Sequence, residues 1–208
     1  NEKFEKFLKY FSCKNETDIL GEFFFLISNL FSTQEMYEQS NFFLRISEYL
    51  NNRFYFNLSL LAENYFLNKN YQDSKKILNI FKNKDENYDW YRVKKIGKIL
   101  SEEGKENEAL KFTEKYFNSL DESSVKILYD MANIYKRFEK YDEAIKYYSQ
   151  LLTKVEKDSY AYSRILYRRG SSFERKGNYE KADKDLLHSL KIVPGDPYTM
   201  NYLAYSWL

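Results

Sequence analysis

Apolar and small residues recur along the chain at i, i+4 and i+7 in six separate stretches: Phe24, Ser28, Phe31; Leu58, Ala62, Tyr65; Val93, Gly97, Leu100; Leu128, Ala132, Tyr135; Leu166, Gly170, Phe173; and Met200, Ala204, Trp207. That spacing puts each trio on one face of an α-helix. Twelve residues beyond each of the first five central small residues lies a second small residue: Ser40, Ser74, Ala109, Ala144 and Ala182. Each closes a short polar motif, "YEQS", "YQDS", "ENEA", "YDEA" or "YEKA", that opens another helical stretch. Successive members of this second set are separated by 34, 35, 35 and 38 residues, with the extra residues falling near "KDSYAY". A period of this length marks a repeat array. Small residues at both positions predict two helices that cross closely, with the large residue one turn later filling the space beside the crossing.

The in-phase residues of "SRILYRRGSSFERKGNYEKADKDLLHSLKIVP", namely Gly170, Phe173, Gly177, Tyr179, Ala182 and Pro194, resemble the tetratricopeptide repeat family. Earlier copies depart from the pattern, with Ser40 and Ser74 in place of alanine and Glu106 in place of tyrosine. The resemblance implies an all-α fold, a right-handed superhelical solenoid of antiparallel helix pairs. It divides the chain into repeats at 21–54, 55–88, 90–123, 125–158 and 163–196. Residues 1–18 are expected to be the second helix of a preceding repeat, since Leu8 and Phe11 superpose on Leu78 and Phe81 two periods later. Residues 197–208 are expected to be the first helix of a following one. The expectation is an internal segment of a longer bacterial protein, whose terminal helices expose Met200, Leu203 and Trp207 and favour self-association.

Composition narrows the function classes. Six Gly and two Pro in 208 residues leave little turn chemistry for a β-protein, and 21 Tyr with 17 Phe fit ring-filled helix contacts. A formal net charge of +2, from 33 basic and 31 acidic residues, gives no global field toward nucleic acid or membrane. The longest apolar run, Phe23 to Ile27, is far short of the ~20 residues of a membrane-spanning helix. Cys13 has no cysteine partner for a disulfide or metal cluster and reads as a structural thiol. His188, the single histidine, stands beside Leu186, Leu187 and Leu190 with no nucleophile in view, and reads as an edge residue. The carboxylate pairs Glu102–Glu103 and Asp121–Glu122 fall at predicted helix junctions, where acids favour helix N-termini. No catalytic group, cofactor motif or metal site is predicted.

The family resemblance implies a concave groove lined by the first helix of each repeat. Carried over position by position, the groove residues are Tyr91, Lys94, Lys95 and Lys98 in the third repeat, Tyr129, Asn133, Lys136 and Arg137 in the fourth, and Arg164, Tyr167, Arg168 and Arg175 in the fifth. Glu22, Phe25, Leu26, Phe56, Leu60, Glu63, Phe66 and Leu67 would make the other end largely apolar. The carboxylate clamp that some family members use is matched only partly, by Lys94, Arg164 and Arg168, with Lys98 and Asp130 where asparagines stand. The expected function is a non-catalytic scaffold or adaptor that binds a protein or peptide, acidic or carboxylate-ended. Two alternatives stay open: an RNA-binding helical-repeat protein similar to the pentatricopeptide type, which the balanced charge disfavours, and an activator or tether of an enzyme in the bacterial envelope. Both the cytoplasm and the bacterial periplasm or envelope are compatible with this sequence.

Overall fold

The computed structural model describes residues 14–206. Among them are eleven α-helices: α1 (Glu16–Thr33), α2 (Tyr37–Leu50), α3 (Phe56–Leu67), α4 (Tyr71–Leu78), α5 (Glu86–Glu102), α6 (Glu106–Phe117), α7 (Val125–Arg137), α8 (Tyr141–Lys154), α9 (Tyr160–Arg175), α10 (Tyr179–Ile192) and α11 (Pro197–Ser206). A single 3₁₀ turn, Asn79–Phe81, extends α4, and there are no strands among the described residues. The chain is all-α, as its periodicity predicts. The preceding-repeat reading of residues 1–18 and the thiol of Cys13 fall largely outside the described residues; α1 begins within that span, capped by the Asn15 side chain accepting from Asp18 N–H.

The chain forms two compact units, residues 1–112 and 113–208. In the first, α1 packs on α2, α3 on α4, and α2 on α3. The α1/α2 pair is antiparallel, because Ser40 Oγ donates to the Ser28 carbonyl at 2.8 Å while Ser47, two turns further on, donates to the carbonyl of Gly21. Gly21 is required here: a Cβ would come within 2.9 Å of Asn51 Cβ. Ser74 Oγ makes the corresponding bond to Ala62 O at 2.8 Å. The two serines that replace alanine thus donate to a backbone carbonyl across the crossing, so neither buried hydroxyl is left unpaired. Beside the first crossing, the rings of Phe31 and Phe43 stack with centroids 5.5 Å apart. The core of this unit gathers Leu44, Leu58, Leu61, Leu78, Phe81 and Ile99.

The second unit repeats the scheme. Helices α7 and α8, α8 and α9, α9 and α10, and α10 and α11 pack in sequence order. At the α9/α10 crossing a Cβ on Gly170 would lie 3.0 Å from Leu186 Cγ and 3.2 Å from the Ala182 carbonyl. Tyr135 and Tyr147 stack at 5.5 Å beside the α7/α8 crossing, matching Phe31 and Phe43. In α9/α10 the stacked rings give way to an ion pair, with Arg169 Nε and Nη2 donating to Asp185 at 2.7 and 2.8 Å and the guanidinium 5.8 Å from the Phe173 ring. Leu203 corrects an expectation of an open apolar helix face, since it is only 4% exposed and packs with Tyr167 and Leu186. Helix α11 touches both α9 and α10, and Leu203 fills the seam. Met200 is 52% exposed, while Trp207 lies outside the described residues.

The inter-helix turns share one conformation. Glu35, Lys69, Gly104, Glu139 and Gly177, one per helix pair, all have φ between 58° and 76°. At Gly104 and Gly177 that costs nothing sterically, whereas the three other residues hold a conformation that L side chains disfavour.

Candidate functional site

The predicted groove residues divide by unit. On α5, Tyr91 is half-buried and its hydroxyl donates to Ser59 O at 3.3 Å; burial, with Glu63 nearby, raises its pKa to about 12. Lys95 forms an ion pair with Glu63 of α3, its Nζ 6.0 Å from the centroids of both Phe66 and Tyr91. Lys98 caps the Phe66 ring at 4.4 Å, and Lys94 is half-buried. The ammonium of Lys95 is therefore partly offset within its own unit. Glu22 departs from the groove assignment: it is 4% exposed and faces Asn51 Nδ2 at 3.5 Å, in a buried polar cluster completed by Ser47 and Asn57. Glu103 also departs from an N-terminal role, since it follows the end of α5 and binds Lys75 at 2.7 Å.

In the second unit one cavity gathers more cations than carboxylates. Helices α7 and α9 supply Asn133, Lys136 and Arg137, and Arg168 and Arg175, to an open cavity of about 440 Å³. Its lining is completed by Glu139, Tyr141 and Tyr202, so four cations face one carboxylate. Lys136 donates to Ser171 Oγ and lies 6.0 and 5.8 Å from the Tyr167 and Tyr202 ring centroids. Its pKa is lowered to about 8, first by burial and then by the positive charges of Arg168 and Arg175, with Glu174 opposing. Arg168 sits 5.8 Å from the Tyr167 ring, and its Nε is buried without a hydrogen-bond partner. Buried Glu174 Oε2 also lacks one, lying 3.8 Å from Arg175 Nε. A buried donor left unpaired costs about 1–3 kcal/mol.

Asn133 is oriented rather than free, its Nδ2 donating to Tyr129 O and its Oδ1 accepting from the Tyr148 hydroxyl, both at 2.8 Å. Burial raises the Tyr148 pKa, so that hydroxyl stays a donor. Arg137 lies over the Phe138 ring at 4.9 Å, and Arg164 over Tyr167 at 5.6 Å. Tyr129 and Arg164 belong instead to a second cavity of about 420 Å³, walled by Val125, Leu151, Val155, Ala161 and Ile165. Sequence reasoning missed Tyr202 as a wall of the cationic cavity. It stands 34 residues after Arg168, the same register position in the next helix pair. His188 is half-buried against Tyr162, with Nε2 3.2 Å from Asp158 Oδ1, in keeping with its reading as an edge residue. Among the described residues no group of three or more His, Cys, Asp or Glu converges as a metal site, and no helix is long and apolar enough to cross a membrane.

Comparison with known proteins agrees with the helix-pair fold. A tetratricopeptide repeat family model matches residues 123–195. No curated protein matches the chain in sequence. Among solved structures, BtubC from P. vanneervenii is similar at a TM-score of 0.61 and 13% identity, over 96% of this chain and 87% of that one. Pseudomonas aeruginosa pilF is similar at 0.56 and 15%, over 91% and 82%. YrrB, described as a TPR protein with an unusual peptide-binding site, is similar at 0.55 and 16%, over 87% and 90%. Helices α7 and α9, which wall the cationic cavity, lie within the matched residues, and residues 123–195 are a tetratricopeptide repeat segment within a chain of similar helix-pair fold.

Proposed function

We propose that this chain is a non-catalytic interaction scaffold that holds an acidic segment of a partner protein against α7 and α9. The repeat fold is a protein-interaction fold, and one solved structure similar to this chain is described as peptide-binding. The observation that carries the finer reading is the cationic cavity, where Lys136, Arg137, Arg168 and Arg175 stand against two carboxylates, Glu139 in the lining and Glu174 beside Arg175. Like charges held this close repel until an anion enters, and guanidinium groups pair with carboxylates through directed bonds. Neighbouring tyrosine rings supply packing for the aliphatic part of the bound segment.

Titration calorimetry with an Asp/Glu-rich peptide tests this reading. Binding is expected to weaken as salt is raised from 50 to 300 mM, values chosen to shorten the screening length by roughly half. Arg168→Glu is expected to lower affinity at least tenfold, on the order of 1.4 kcal/mol. Equal affinities for the two proteins would place the acidic segment elsewhere. Peptide-independent binding of single-stranded RNA at the same residues would replace this reading with a nucleic-acid one.

A further inference from the structure

The two cavities of the second unit open on the same strip of α7 and α9. On α7 the apolar cavity uses Val125 and Tyr129 and the cationic cavity uses Asn133 and Lys136. These positions are spaced by four, four and three residues, so they share one helix face. On α9 the apolar cavity uses Ala161 and Ile165 and the cationic cavity Arg168 and Arg175. On both helices the apolar cavity takes the N-terminal part and the cationic cavity the C-terminal part. The helices therefore run side by side in the same direction beneath both. The offset between the two cavities is about eight helical residues, roughly 12 Å at 1.5 Å per residue. An extended peptide covers that distance in about four residues.

We propose that this strip reads a two-point motif: one large apolar side chain seated among Val125, Leu151, Val155 and Ile165, and an acidic side chain about four residues away against Lys136, Arg168 and Arg175. The inference rests on the acidic-segment reading above and adds to it a second anchor and a fixed spacing. Charge complementarity names the occupant of one cavity. The apolar walls and volume of about 420 Å³ name that of the other, which has room for a Leu or Phe side chain. Lys126 and Arg164 line the apolar cavity and keep the bound segment's flanking acids favourable along the strip. A ligand with only one of the two features fills only one cavity.

Fluorescence anisotropy on the whole chain tests this with labelled Gly/Ser peptides carrying one Phe and one Asp-Asp pair, in both orders and at spacings of one, four and eight residues. The spacing of about four is expected to bind at least tenfold tighter than the other two, in one of the two orders, and Phe→Ala in that peptide is expected to cost a similar factor. Ala161→Arg blocks the apolar cavity; because Ala161 is exposed, this leaves the fold intact, and it should abolish the Phe effect while preserving the Asp effect. Arg168→Glu should do the reverse. If affinity depends on salt and on Asp but is indifferent to Phe and to spacing, the two-point motif is overturned and the acidic-segment reading stands. If no peptide binds, both fall; if an oligouridine probe binds in an Arg168-dependent manner while the peptides do not, the site is a nucleic-acid one.

Discussion

At the scale of single residues, the Lys136 ammonium is the group most exposed to a test. Its pKa falls from 10.5 to about 8 because folding buries it and sets it beside Arg168 and Arg175. In the unfolded chain it binds its proton more tightly, so folding is penalised at pH values below about 8, and the penalty fades as pH rises from about 8 toward 10.5. Lys136→Met removes that penalty. It is expected to stabilise the protein at pH 7 by an amount on the order of 1–3 kcal/mol, with the advantage shrinking by pH 10. Urea unfolding at the two pH values checks this, and an equal or negative effect at pH 7 would mean that Lys136 is not held against neighbouring charge. The identities of the cations were legible in the sequence, since Lys136, Arg168 and Arg175 occupy family groove positions. Their balance was not. Whether a lysine is offset depends on its partner in the helix pair before it, as Lys95 finds Glu63 across 32 residues. Glu22 and Asn64 were hidden for a related reason: a polar residue buried in a side-chain network carries no hydrophobic signal, and Asn64 is paired with Ser32, Ser40 and Asn41.

At the scale of elements, the helices were legible because every pair repeats the same crossing: small residue, small residue, and a ring or Leu100 one turn on. The turns were only half legible. Gly104 and Gly177 announce a left-handed position, but Glu35, Lys69 and Glu139 occupy the equivalent place without any sequence sign of it. A non-glycine residue pays about 1 kcal/mol or more in that region. Lys69→Gly, at an exposed turn with φ 58°, is therefore expected to raise stability by up to about 1 kcal/mol, the gain being limited by the greater freedom of glycine in the unfolded chain. Thermal unfolding followed by circular dichroism would show it as a rise in Tm; a fall would mean that the Lys69 side chain contributes more than its backbone costs.

At the scale of the whole molecule, the packed helix pairs are close neighbours in sequence, adjacent or one element apart. Stability in such a chain is built from local couplings. Gly170→Val, which drives new atoms toward Leu186 and the Ala182 carbonyl, is expected to speed amide exchange chiefly in α9 and α10. Amides of α1 and α2 are expected to keep their wild-type rates in a hydrogen-exchange experiment read by mass spectrometry. Uniform acceleration across all helices would show instead that the chain opens as one cooperative body.

The crossings have a consequence for how this protein can change over generations. Ala132, Ala144, Gly170 and Ala182 meet helix against helix, whereas Lys136, Arg168 and Arg175 stand at other positions on the same helices and line a cavity. Mutation can therefore rewrite the cavity-lining side chains while the contacts that set the helix spacing stay fixed. If the strip binds a partner as proposed, a lineage descended from this chain has freedom to trade one partner for another by a few substitutions along it, without first having to find a new fold.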